Sequence, residues 1–178
     1  MQKESIIETQ RLLLRPLAID DDEGMFELDS NLEVIKYITP LPSILTSIEQ
    51  SRKVISSIQE QHKDNSVSRL AIIIKETDEF IGWISLKLIK KEINGHVNYY
   101  EVAYRFIPRY WGKGYATEAT SAIVKYGFEV LKVEKIYAIV MRENLGSRKV
   151  LKKSGFQQTG DFEYIGVLMD WFEIAIVP

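Results

Sequence analysis

The spacing of apolar and polar residues predicts an α/β (α+β) plan. Arg11 to Pro16 reads as a strand, and Asp20 to Leu28 as a short helix whose opening aspartates suit the positive end of its dipole. A longer helix is expected over Ser47 to Gln61, with Thr46 and Glu49 at capping-box spacing and Ile48, Ile55, Ile58 and His62 on one buried stripe. Arg69 to Lys75 and Phe80 to Leu88 form paired strands joined at Thr77-Asp78-Glu79, and Asn94-Gly95 marks a tight turn before a strand at Tyr99 to Ile107. This much is an antiparallel meander. From Tyr99 the order becomes strand, helix, strand, helix, strand. The first of these helices is Ala116 to Leu131, with Ala119, Ile123, Gly127 and Val130 facing the sheet. Lys135 to Met141 is the next strand, and Leu168 to Val177 closes the sheet. The expected result is a mixed sheet with helices on both faces.

Composition narrows the possibilities. A chain of 178 residues, 46% hydrophobic and 27% charged, is in the range of a single domain, here expected over residues 8–178, and no linker, repeat or low-complexity tract divides it. With no cysteine there can be no disulfide, thiolate metal site or cysteine nucleophile, and no metal is expected. No segment approaches the roughly 18 apolar residues of a membrane helix, and Met1 to Ser5 lacks the hydrophobic stretch of a secretory signal. The expectation is a cytoplasmic protein without a membrane partner. A net charge of −2 and a pI near 5.8 give no global pull toward nucleic acid, and the cationic run is short, with no interleaved aromatics. No nucleic-acid partner is expected.

The richest stretch is Arg109 to Ala116, R-Y-W-G-K-G-Y-A, between the strand at Tyr99 and the helix at Ala116. Gly112 and Gly114 can adopt angles closed to other residues, and the first N–H groups of the helix point outward unpaired. That arrangement suits a pyrophosphate. It is neither a dinucleotide fingerprint, since Thr117 stands where a third glycine is needed, nor a P-loop, since Gly112-Lys113 is followed by Gly114.

R-x-x-G-x-G-x-A, followed by N-x-x-S-x-x-x-L-x-x-x-G-F at Asn144, Ser147, Leu151, Gly155 and Phe156, resembles the GNAT superfamily of N-acetyltransferases, especially the branch typified by ribosomal-protein N-terminal acetyltransferases. Glu8 to Leu17 is similar to the opening strand of that branch, and Tyr99 to Ala119 to its cofactor segment. The resemblance implies the GNAT fold, with a mixed, mostly antiparallel sheet whose strands at 101–107 and 135–141 splay apart. It further implies acetyl-coenzyme A as co-substrate, its pantetheine arm paired with Phe106 and Ile107 and its pyrophosphate cradled by Arg109, Gly112, Lys113, Gly114, Ala116 and Thr117. Asn144 would orient the arm, and the Ser147 hydroxyl would face the thioester sulfur. Both residues also suit a helix cap. Arg148, Lys149, Lys152 and Lys153 fit either a solvated face or the nucleotide's terminal phosphate. Gly155-Phe156 reads as a helix stop followed by a core aromatic. A homodimer is compatible with the branch.

Glu101 is the candidate general base. Alternation puts Tyr99, Glu101, Ala103 and Arg105 on one face of their strand, and Tyr100, Val102, Tyr104 and Phe106 on the other. Partial desolvation would raise the pKa of Glu101 to suit an ammonium proton, whereas a salt bridge to Arg105 would make it structural. His62 and His96 are read as structural. Two functions follow. One is acetyl transfer to a primary amine, on a small molecule or a protein N-terminus, by direct attack in a ternary complex. The alternative is a catalytically inactive acyl-coenzyme A-binding regulatory domain. Asn31 to Asp64 does not select an acceptor.

Overall fold

A computed structural model describes residues 7–38, 44–62, 67 and 69–176, except the side chains at 61 and 62. The expected stripe position His62 and the strand end at Val177 thus lie outside the described side chains and residues. The strands are β1 (Ile7–Glu8), β2 (Leu12–Pro16), β3 (Leu70–Ile74), β4 (Glu79–Ile89), β5 (Tyr99–Phe106), β6 (Lys135–Met141), β7 (Gln157–Tyr164) and β8 (Val167–Ala175). The helices are α1 (Asp22–Asp29), α2 (Leu32–Ile35), α3 (Ile48–His62), α4 (Tyr115–Glu129) and α5 (Leu145–Lys153). Strand order is β1-β2-β3-β4-β5-β6-β8-β7, antiparallel at each junction except β5–β6, which α4 connects as a parallel crossover.

Strand β3, L-A-I-I-I, is buried throughout because helices cover both sides of the sheet. On one side α3 inserts Ile58 above Trp83 and Ser85 of β4, and α1 sends Asp29 to Arg105 of β5. On the other side Gly127 of α4 lies against Leu86 and Ile136, so closely that an added Cβ would meet each at 2.8 Å. The buried stripe of α4 is Ala119, Thr120, Ile123, Val124 and Gly127. Val130, expected on that stripe, is 58% exposed because the helix stops at Glu129 and the next residue leaves its register.

Two further expectations change. The cap of α3 is shifted by one residue from Thr46/Glu49: the Gln50 N–H donates to Ser47 Oγ at 3.4 Å, while Thr46 N–H donates to Gln50 Oε1 at 2.7 Å. Strand β7 was not anticipated. Its sequence, Q-Q-T-G-D-F-E-Y, is polar because it forms an outer edge of the sheet with most side chains in solvent.

The β5–β6 junction positions the site. These strands pair only at Tyr100–Ile136 and Glu101–Tyr137, although both continue beyond. At the paired end, an aromatic cluster of Tyr99, Tyr137, Phe162 and Trp171 is capped by His96, whose ring stacks on Trp171 at 4.7 Å. His96 is thus a packing residue. Past Glu101 the strands separate.

Candidate active site

The gap between β5 and β6 opens a cleft of about 670 Å³, lined from both faces of β5: Glu101 and Arg105 on one face, Tyr104 and Phe106 on the other. Such lining is what an opening through a sheet requires. Ile107 N–H donates to Ile81 O at 3.0 Å, and Phe106 pairs in register with Gly82. By alternation, the Tyr104 and Phe106 main chains then face the gap rather than β4. The Phe106 carbonyl accepts a 2.7 Å bond from the Trp111 indole, which leaves its amide for a ligand. Ile107 differs from expectation. It is 1% exposed, and its carbonyl accepts from Tyr110 N–H as its amide bonds to Ile81, so both main-chain groups already have protein partners.

The glycine turn closes one end of the cleft. Gly112 has φ +76° with open space around its missing side chain, and Gly114, at φ +84°, is the N-cap of α4. A ligand can therefore approach the amides at the start of the helix, where the dipole favours negative charge. Arg11, just before β2, braces the turn by donating to the Lys113 carbonyl at 3.0 Å and pairing with Glu118. Burial alone would push Glu118 upward, but hydrogen bonds from Thr9 and Arg11 hold it below the usual carboxylate range. Gly112 and Ala116 line the cleft. Lys113 lies beside the Tyr110 ring at 5.3 Å, and Arg109 turns away to Glu27 of α1. Gly114 and Thr117 are not among the residues that line the cleft.

Helix α5 also lines the cleft. Asn144 caps it by accepting the Ser147 N–H at 3.0 Å, so the capping role is real. The Ser147 hydroxyl remains in the cleft, 3.0 Å from the Tyr104 hydroxyl. Burial pushes the Tyr104 phenol above its ordinary range, and it stays protonated at neutral pH. Sequence reading had placed Tyr104 on this face of β5 but missed its partnership with a helix 43 residues away. Arg148 does not join the cationic face: its Nε lies 2.8 Å from Asp170 of β8, an ion pair bent too far for a directed hydrogen bond. Arg142, in the turn before α5, also pairs with fully buried Asp170 at 2.9 Å and with Asp161 of β7, so Asp170 ties both that turn and, through Arg148, α5 to the sheet.

Glu101 sits where β5 and β6 part. Burial raises its carboxyl to about 7, against the opposing pull of the Tyr99 hydroxyl, 3.5 Å away, and of Lys87. The alternative salt bridge is not formed, because Arg105 pairs with Asp29 at 2.7 Å. The side chains of Glu33 and Tyr37 in and after α2, and of Phe162 and Tyr164 on β7, complete this end of the cleft. No sequence signal pointed to them, since each belongs to an element not anticipated or to the region without a pattern.

The model of the acetyltransferase (GNAT) domain matches residues 11–157. The chain belongs to the GNAT acetyltransferase family. It is an N-acetyltransferase, 35% identical to the uncharacterized N-acetyltransferase p20 of Bacillus licheniformis over 95% of this chain and 94% of that one. The spermidine N(1)-acetyltransferase of Escherichia coli is 30% identical over 83% of this chain and 74% of its own length. A GNAT-family acetyltransferase structure from Bacillus anthracis superposes with a TM-score of 0.80 at 28% identity, covering 96% and 98% of the two chains. A ribosomal L7/L12 α-N-protein acetyltransferase crystallised with coenzyme A has the same fold, with a TM-score of 0.79 at 19% identity and coverage of 97% and 98%. Among the described residues of this GNAT domain, no helix is long and apolar enough to cross a membrane.

Proposed function

We propose that the protein transfers an acetyl group from acetyl-coenzyme A to a primary amine by direct attack in a ternary complex. The observation that carries this reading is the opening of one cleft between three groups: a glycine turn at a helix N-terminus, a carboxylate raised to about 7 and a serine hydroxyl backed by a buried tyrosine. The residues fit the coenzyme: open space at Gly112, amides at the start of α4 and the unpaired Phe106 amide form a continuous polar track. Gly112 and Ala116 would hold the diphosphate with Lys113 supplying charge, and Tyr104, Phe106 and the Asn144 amide would hold the arm.

The coenzyme supplies an activated thioester. Glu101 takes the proton of the incoming ammonium, directly or through one water, and frees a lone pair. As the amine nitrogen bonds to the acetyl carbon and the carbon–sulfur bond breaks, the Ser147 hydroxyl donates to the departing sulfur. Tyr104 orients that hydroxyl; the second nitrogen proton, shed as the amide forms, passes through the Tyr104–Ser147 pair to the sulfur, which leaves as a thiol, while Glu101 returns its proton to solvent. Positioning supplies much of the remaining rate.

A free-thiol assay with acetyl-coenzyme A and a panel of amines, amino acids and N-terminal peptides tests the reading. Thiol release with stoichiometric N-acetylated product is expected for at least one amine. Coenzyme binding without release across the panel would contradict it.

A further inference from the structure

Trp83 carries two guanidinium groups against its ring, Arg69 at 4.5 Å and Arg105 at 5.2 Å. Arg105 has its counter-ion in Asp29; among the described residues Arg69 has none. Arg69 is largely withdrawn from water, and both burial and the like charge of Arg105 weaken its hold on its proton, with Asp29 opposing. The Trp83 indole N–H is buried without a hydrogen-bond partner. A largely desolvated cation without a counter-ion is unfavourable unless an anion reaches it.

Beside them lies a second chamber of about 170 Å³. Its polar walls are Arg69, Ser85, Lys87 and Glu101, with Ile58 and Ile89 as apolar walls, and it shares Trp83 and Glu101 with the main cleft. Two cationic groups thus face a chamber whose one acidic wall, Glu101, is the one held near neutrality. From the strand registers, Arg69 and Glu101 stand two strands and two residues apart, roughly 12 Å between Cα atoms. Their side chains converge on the chamber from opposite ends.

We propose that this chamber is an anion subsite and that the acceptor is a small zwitterion: a primary amine bearing a carboxylate, which meets the Arg69 fork beside the Trp83 ring while the amine lies at Glu101. The proposal rests on the acetyl-transfer reading for the role of Glu101. A planar guanidinium fork matches a carboxylate in two parallel hydrogen bonds. A second amine at the Arg69 end would meet like charge, so a polyamine is disfavoured here.

The test compares ω-amino carboxylates of increasing chain length with their carboxamides and with diamines of equal length, in the free-thiol assay on the wild-type protein. For at least one length, kcat/KM for the carboxylate should exceed that for the carboxamide and the diamine by about tenfold. Arg69→Gln should bring the carboxylate-to-carboxamide ratio to within about twofold of one, through loss on the carboxylate. Carboxamides or diamines that match the carboxylates at every length, or a preference that survives Arg69→Gln, would overturn the proposal. If no amine releases thiol, the acetyl-transfer reading fails on its own. Calorimetric titration of δ-aminovalerate and δ-aminovaleramide into the wild-type protein then still decides the subsite: selective binding of the carboxylate supports it, and equal or absent binding of both overturns it.

Discussion

Glu101 and Ser147 lie 46 residues apart on different elements, and each is tuned by a neighbour the other does not share. Glu101 acts as a base only when ionised, and burial raises it to about 7. The account therefore predicts that kcat/KM climbs with pH through neutrality to a plateau, and that Glu101→Gln flattens the climb while lowering kcat by roughly a hundredfold. Persistence of the wild-type limb in Glu101→Gln would remove Glu101 as the base. The same shift has a stability consequence of fixed sign. A carboxyl whose folded pKa lies above its unfolded value of 4.5 favours the fold fully below that value and loses the advantage as pH rises through about 7. Urea melts should accordingly find Glu101→Gln more stable than wild type near pH 8, by on the order of 2 kcal/mol, and little different near pH 4. At Ser147, Tyr104→Phe and Ser147→Ala should each lower kcat about tenfold with coenzyme affinity little changed, and the double variant should fall no further than the worse single. Additive losses would show that the 3.0 Å contact is not used in turnover. Alternation along β5 was enough to place Glu101 and Tyr104 on opposite faces. Their partners were not legible, because Asp29, which claims Arg105, and Ser147, which holds Tyr104, arrive from distant parts of the chain.

Helix α5 is tied to the sheet by a buried carboxylate. Asp170 is fully buried and receives both Arg142 and Arg148, so it fixes the helix that presents Ser147. Asp170→Asn leaves Arg148 without its charge partner and Arg142 with only Asp161, and should lower stability by about 3 kcal/mol, read as a reduced urea midpoint. A change below about 0.5 kcal/mol would mean that packing alone seats α5. Strands and helices with strong periods were readable: β2 to β6, α3 and α4 stand within a few residues of where the pattern put them. What failed had a local cause. Overlapping pairs Thr46/Glu49 and Ser47/Gln50 offer two caps of equal spacing, and the hydrogen bonds select the second. Strand β7 has no buried alternation to reveal it, since its ladder with β8 supplies the order that its side chains do not. The glycine turn was legible because φ beyond +70° at Gly112 and Gly114 admits few other residues.

For the molecule as a whole, the site is a consequence of one parallel junction in an otherwise antiparallel sheet. The aromatic cluster holds β5 to β6 as far as Glu101 and Tyr137; beyond them the strands stay apart, and the first turns of α4 and α5 border the gap. The coenzyme track, the base and the serine are all edges of that single opening. A crystal structure of the protein with coenzyme A bound tests this most directly. The account predicts the diphosphate on the amides around Gly112 to Ala116, the arm against the Tyr104 and Phe106 main chains, and the sulfur between Ser147 and Glu101. Coenzyme bound elsewhere, or β5 and β6 joined by hydrogen bonds past Glu101, would contradict it.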